Sequence, residues 1–445
     1  MPAFAMTFIL TLLVSLDPGP QDNHPVTAFV NVSVIPMDTD RVLRNYTVLV
    51  EGDQIIAVGP RAEVTIPDGA MRIDGIGKFL MPGLAEMHGH IPPPSQPSSE
   101  IENVLFLYVA NGITTVRGML GYPGQLELRE RALSGDLLSP TLYLAGPSFS
   151  GNSISSPEQA VRRVHEQQKE GWDLLKIHPG LTLAEYDAMA SAAREVNIDF
   201  GGHVPADVGI EHAIASGQLT FDHLDGYVDY VEGDRGPVNR IRLKKILQKT
   251  SDAGAWVVPT MVLWETVLGV ADLDDMISYP ELKYVSAQTV SNWVRAFENR
   301  RSGLPSDMTT ALNIADARME LLAAMNRADI QILMGTDAPQ QFSVPGFSLH
   351  REIEKMVEAG MSPYEVLRSG TINVGRYFSD KDDFGTIEVG KRADMILLNA
   401  NPLENVRNIS QRTGVMLRGK WLPEEEIQRK LAEVAASYGN GMKKP

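Results

Sequence analysis

The sequence predicts an α/β protein, a (β/α)8 TIM-type barrel with a small β-sandwich domain assembled from both ends of the chain. Three observations predict it. Through the middle of the chain, short apolar stretches alternate with longer stretches of helical periodicity, the pattern of parallel βαβ units. At both ends the pattern changes to short Val-, Ile- and Thr-rich runs separated by glycine turns. Polar side chains, four of the nine histidines among them, fall at the carboxyl ends of the middle strands, where barrels of this kind gather their chemistry.

The end segments come first. Residues 26–35 and 46–58 read as strands, with Glu51-Gly52-Asp53-Gln54 as a hairpin turn; residues 384–398 and 413–421 repeat the pattern. Chain termini commonly lie close together, so 26–80 and 384–425 are assigned to one composite β-sandwich, with the barrel, 81–383, inserted between them. Within the barrel, strands are expected at 79–87, 114–117, 141–145, 174–178, 200–203, 220–223, 255–259 and 331–336. Helices are expected at 157–170, 183–196 and 309–327, where apolar residues recur at helical spacing. Two connections are long: 90–100, with Pro92-Pro93-Pro94 and Pro97, and the insertion 261–307. Segments of that length serve as lids, binding loops or interfaces. Trp264, Tyr279, Tyr284 and Trp293 suit a substrate mouth or a subunit contact equally, and a peripheral helical insertion is the plainer alternative.

Composition narrows the function. With 445 residues, 43% hydrophobic and 22% charged, the chain can bury a sizeable core. A net charge of −16 with no basic patch argues against a nucleic-acid surface. No cysteine is present, which excludes disulfides, thiolate metal sites and cysteine nucleophiles. Any metal must sit on histidine, carboxylate or modified lysine. Residues 4–16 form an apolar run too short to span a bilayer, followed by a turn-rich polar stretch. Residues 1–25 are therefore expected to be a signal peptide, with a disordered tail as the alternative. The expected location is periplasmic or secreted, otherwise cytoplasmic. No membrane span is expected in the mature protein.

The first barrel strand ends His88-Gly89-His90. Side chains at i and i+2 on a strand share a face, so both imidazoles can aim at one point, as ligands of a zinc-like metal do. A lone His-x-His pair can equally be solvated. The other strand ends decide the matter: Lys176 on the fourth, Gly202-His203 after the fifth, Asp222-His223 after the sixth and Gly335-Thr336-Asp337 after the eighth. Singly, such a Lys pairs with an acid, such a His caps a helix and such an Asp is an N-cap. Together on five strand ends they point to one centre.

With the motifs Pro82-Gly-Leu-Ala-Glu-Met-His88-Gly-His90, Asp173-Leu-Leu-Lys176-Ile-His178, Gly202-His203-Val-Pro, Phe221-Asp-His223-Leu and Gly335-Thr-Asp337, the chain resembles the metal-dependent amidohydrolase superfamily over nearly its whole length. Val58-Gly-Pro60 and residues 385–394 resemble that superfamily's split β domain. The resemblance implies a binuclear site with two divalent ions, zinc first among the candidates. His88, His90 and Asp337 would hold one ion, His203 and His223 the other, and Lys176 would join them as an N6-carboxylysine. An ammonium offers a cation no lone pair, whereas a carbamate offers two anionic oxygens. The implied reaction is hydrolysis of amide C–N bonds in peptide-like or N-acyl compounds, with a metal-bridging hydroxide as nucleophile and Asp337 as proton shuttle. The branch it is most similar to is imidazolonepropionase-like and prolidase-like, of the Xaa-Pro dipeptidase type. The chain departs from that branch after strand three, where Gly146-Pro-Ser-Phe-Ser-Gly-Asn152 replaces a Gly-Gly-His-type stretch, so the substrate is not carried over. Candidate substrate contacts are His178, Tyr227 and Tyr230. The competing readings are a lactonase, ester or phosphotriester hydrolase on the same centre and a metal-free binding relative. A mononuclear deaminase is disfavoured by the presence of Lys176. The expected partners are a small-molecule substrate and further copies of the same chain.

Overall fold

A computed structural model describes residues 25–304 and 308–439. The expected export segment, residues 1–25, lies outside the described residues except for its last residue.

Strands from both chain ends enter one eight-stranded mixed sheet. Its order runs Lys420–Pro423, Arg412–Leu417, Met395–Leu398, Phe79–Pro82, Thr27–Val34, Leu43–Glu51, Gln54–Pro60, with Met71–Asp74 pairing alongside Thr27–Val34. The hairpin register sets Glu51 opposite Gln54, with Gly52 in the left-handed conformation a tight turn requires. Phe79–Pro82 joins the two halves, running parallel to Thr27–Val34 and antiparallel to Met395–Leu398. Phe29, Val48, Leu80, Leu397 and Met416 pack together as its core. The ladders form one continuous sheet where two facing sheets are expected.

The expected strand 79–87 is two strands. Gly83 divides them, because a Cβ there would meet Thr114 Oγ1 at 2.2 Å, and only glycine lets the chain leave the mixed sheet so close to its neighbour. The chain then enters β1 (Leu84–Gly89), which forms a parallel three-stranded sheet with β2 (Ile113–Gly118) and β3 (Thr141–Leu144). A five-stranded parallel sheet follows: β4 (Leu174–Ile177), β5 (Asp199–Gly202), β6 (Thr220–Asp222), β7 (Trp256–Val258) and β8 (Gln331–Ile332). These strands are buried along nearly their whole length, as parallel strands covered by helices must be. Ala145 bridges to Leu174 at one seam; at the other, Met87 N donates to Met334 O (2.8 Å) and Asp337 N to His88 O (2.8 Å). No continuous ladder closes all eight among the described residues. The molecule is an α/β fold carrying a large mixed sheet.

The helices begin and end where their capping chemistry dictates. Pro157–Glu170 is capped by Ser156, carries Pro at N1 and stops at left-handed Gly171; Leu183–Glu195 starts with a capping box between Thr182 and Glu185. The insertion after β7 is helical, comprising Met261–Val267, Leu273–Ile277, a 3-10 turn Pro280–Tyr284 and Ala287–Ser302. No described helix is long and apolar enough to cross a membrane.

Candidate metal centre

The strand order brings the predicted polar residues to one end of the parallel sheets. His88 is buried within β1, and His90 follows just past its end. β4 supplies fully buried Lys176; the segments after β5, β6 and β8 supply His203, His223 and Asp337. His90 Nε2 lies 2.5 Å from Asp337 Oδ1, and His88 Nε2 lies 3.6 Å from the same oxygen. His223 Nε2 is 3.7 Å from Asp337 Oδ2, and Lys176 Nζ is 3.2 Å from His88 Nε2. The His88 and His223 ring centres are 4.4 Å apart, and His203 lies 4.6 Å from His223. Donor atoms of His88, His90 and Asp337 fall within 4.8 Å of one another, a group able to hold a metal ion.

Electrostatics favour lone pairs here over protons. Burial, followed by the charge of Lys176, holds His88 well below the usual histidine range; burial and then His88 do the same to His223. Buried His223 Nε2 has no hydrogen-bond partner. An orphaned imidazole nitrogen facing a carboxylate and other neutral imidazoles is costly unless a cation fills the space, so the donor set fits a divalent metal.

The opposite ring nitrogens of His203 and His223 are tied back by hydrogen bonds, and that of His88 lies within ion-pair distance of a carboxylate without a hydrogen bond. His203 Nδ1 is 2.6 Å from Asp225 Oδ2, His223 Nδ1 is 2.7 Å from Thr260 Oγ1, and His88 Nδ1 is 2.7 Å from Asp222 Oδ2. This leaves each Nε2 facing inward, as metal-binding histidines are oriented by a partner on the other nitrogen. Asp222 is held in turn by the buried Arg117 guanidinium at 3.3 and 3.4 Å, and Arg117 Nε donates to Met87 O (2.6 Å). Glu86 fastens β1 to the segment after β8, accepting from Thr336 N (2.7 Å) and His88 N (3.1 Å); burial pushes its carboxyl up to about 8. None of Arg117, Glu86, Asp225, Thr260 and Arg318 is singled out by the sequence. The signal for Asp225 and Thr260 is only that a ligand histidine needs a partner for its other nitrogen.

His223, Thr260 and Asp337 all adopt left-handed backbone (φ 64°, 46° and 64°). Such conformations cost about 1–3 kcal/mol each and persist where surrounding structure holds them. Arg318 is part of that hold: it donates to His223 O and, at 2.8 Å, to Pro259 O, with its guanidinium over the Trp264 ring.

The three candidate substrate contacts part company. His178 stacks on His203 at 5.1 Å, its buried Nδ1 unpartnered, and burial together with Lys176 lowers it to about 3. Tyr227 and Tyr230 turn away from the cluster. Tyr227 is fully buried, with its hydroxyl paired to Thr250 Oγ1 (2.8 Å) and its ring edge-on to Phe221. Tyr230 lies against Arg242 and Lys245 of the same helix, Arg240–Asp252. Both expectations are corrected: these rings pack and pair with that helix, which takes the Tyr227 hydroxyl out of use for substrate.

Gly202 gives the site a sensitive point. Its φ is 121°, and a Cβ there would meet Ile177 O at 2.6 Å and Lys176 Cδ at 3.0 Å. Gly202→Ala is therefore expected to destabilise the fold by at least the ~1–3 kcal/mol of such a backbone, and to displace Lys176. Thermal unfolding measures the first effect and loss of bound metal the second; an unchanged melting point would contradict this account of Gly202.

The pattern of the Amidohydrolase family matches residues 79–422. The chain belongs to the amidohydrolase family. It is thus a hydrolase acting on carbon–nitrogen bonds. Among similar amidohydrolases is the ochratoxinase of Aspergillus niger, 23% identical over 421 residues, covering 87% of this chain and 84% of that protein. Another relative is the 5-methylthioadenosine/S-adenosylhomocysteine deaminase of Caldanaerobacter subterraneus subsp. tengcongensis, 25% identical over 405 residues, 83% of this chain and 84% of that one. The solved structure of a Xaa-Pro dipeptidase with bound methionine aligns with a TM-score of 0.68 at 20% identity, covering 89% of this chain and all of that one. This likeness is one of fold and agrees with the prolidase-like resemblance in the strand-end motifs.

Proposed function

We propose that the protein is a binuclear metal-dependent hydrolase of amide bonds in small peptide-like or N-acyl compounds. One observation carries the reading: the unpartnered Nε2 of His223 faces Asp337, which with His88 and His90 forms a group able to hold a metal ion, and buried Lys176 lies beside His88. On this reading β1–β8 form a (β/α)8 barrel occupying residues 81–383, and segments 26–80 and 384–425 form the smaller β domain. His88, His90 and Asp337 would hold one ion and His203 and His223 the other, zinc being the first candidate. Lys176, as N6-carboxylysine, would supply an anionic ligand between them. Burial keeps the Lys176 amine below its usual range, so the free base is accessible. Its nitrogen bonds to the carbon of carbon dioxide, a C=O electron pair moves onto oxygen, and the nitrogen's proton leaves to solvent.

When bound, the metal pair supplies Lewis acidity toward a carbonyl oxygen and lowers the proton affinity of water. The chain's residues do the rest. Asp337 takes the proton from the attacking water as the C–O bond forms, and returns it to the amide nitrogen as the C–N bond breaks. His178, beside His203, is within reach of a substrate polar group. Asp222, Asp225 and Thr260 fix the ring orientations.

Relatives named as a deaminase and an ochratoxinase leave the leaving group open; Lys176 beside His88 favours the two-metal amide reading. A panel of dipeptides, N-acyl amino acids, lactones and phosphotriesters tests it. Amides are expected to turn over at least tenfold faster than lactones or phosphotriesters of similar size. The reverse order would transfer the proposal to ester-type chemistry on the same centre.

A further inference from the structure

Beside the metal cluster lies a cavity of about 440 Å³, with His90 in its wall. That volume is in the range that admits a small-molecule group. Its other walls come from segments distant in sequence: Ile91 and Pro92 after β1, Leu120 and Tyr122 after β2, Tyr284 and Trp293 from the insertion, and Pro339, two residues past Asp337. The cavity therefore touches the cluster on two sides, through His90 and through the Asp337 segment.

Its aromatic walls are braced from behind. Tyr284 stacks on Phe347 with centroids 5.3 Å apart, and Trp293 packs against Phe342 at 5.7 Å. Rings fixed in this way offer flat apolar faces at little entropic cost to the ligand. The charge is as informative as the shape. Among the described residues no Lys or Arg lines the cavity, and its one carboxylate is Glu100, on helix Ser98–Ala110. A carboxylate or phosphate in these walls would meet one like charge and no basic side chain; a neutral ring would meet apolar and aromatic faces, with Gln96, Ser286, Thr289 and Gln340 as uncharged polar neighbours.

We infer that this cavity is the specificity pocket of the metal centre and takes a bulky, uncharged, aromatic group attached on one side of the scissile amide. This rests on the amide-hydrolase reading for what is cleaved, and on the cavity alone for what is bound. It also explains the insertion, whose Tyr284 and Trp293 close the pocket. A plain dipeptide with small side chains would leave that pocket unfilled.

Two measurements test the inference, the first of them independently of the reaction. The first is calorimetric binding of 2-naphthamide and of 2-naphthoate to the protein as purified. Naphthamide is expected to bind at least tenfold more tightly than naphthoate, and Leu120→Trp, which fills the cavity, to weaken naphthamide at least tenfold. Val285→Trp, at another lining residue, serves if Leu120→Trp does not fold. The second is the ratio of kcat/KM for N-(2-naphthoyl)alanine or acetyl-2-naphthylamide to that for acetylalanine. One of the two naphthyl compounds is expected to exceed acetylalanine at least tenfold, with the excess lost in the filled variant. Naphthamide binding that is absent, matched by naphthoate, or unchanged in both filled variants overturns the assignment. Selective binding that the filled variant abolishes, in a protein cleaving none of these amides, would support the pocket and sink the amide-hydrolase reading instead.

Discussion

Asp337→Asn is expected to retain most of the bound metal while its rate of amide hydrolysis falls by a factor on the order of 10² to 10⁴, the contribution of a positioned acid-base group. The Asn side chain keeps the size and one coordinating oxygen but cannot carry a proton. Asp337 is well placed to carry one: one carboxylate oxygen lies 2.5 Å from His90 and the other 3.7 Å from His223. Amide nitrogen is a poor leaving group and must be protonated as its bond breaks, so the loss should be largest on amides. Activated esters with good leaving groups should suffer less. Steady-state rates on a matched amide and ester, with metal content measured on the same samples, check both halves. A variant that kept its amidase rate with full metal would move the shuttle to another group, His178 being the nearest candidate by its stacking on His203.

Lys176→Ala is expected to abolish activity, and a short carboxylic acid such as acetate or propionate to restore part of it. Lys176 is fully buried, and its amine lies 3.2 Å from a histidine nitrogen that, on the two-metal proposal, offers a lone pair to metal. An ammonium at that position would repel two cations across a low-dielectric space, where Coulomb energies are far larger than in water. What the site lacks without Lys176 is then a bridging anion, and a small carboxylate fits the space that the truncation leaves. Rescue by an alkylamine in place of the acid would mean that Lys176 acts as a cation, and the carbamate would have to be abandoned.

The inward-facing residues were legible because their spacing carries them. His88 and His90 are two residues apart at the end of one strand, and Lys176, His203, His223 and Asp337 each fall on or after a strand that periodicity locates. Their supports were not legible, because each crosses between elements. Asp222 sits next to His223 in sequence yet lies against His88, and Asp225 lies against His203, twenty-two residues back. Nearness in sequence misled at Tyr227 and Tyr230: left-handed residues at His223 and Leu224 turn the chain, and the short helix Tyr227–Tyr230 then lies against Arg240–Asp252. Gly83 hid a strand break, since the close approach to Thr114 that makes glycine necessary belongs to tertiary structure. The four aromatic residues of the insertion also divide only in three dimensions. Tyr284 and Trp293 line the cavity, while Tyr279 lies under Arg351 and Trp264 under Arg318.

Metal dependence is the claim on which the rest stands, and back-titration of chelator-treated enzyme tests it most directly. Removing metal should abolish hydrolysis of an N-acyl amino acid or dipeptide, and adding zinc in the presence of bicarbonate should restore it, with activity levelling off at about two ions per chain. Full amidase activity in protein shown by elemental analysis to hold only trace metal would contradict the account.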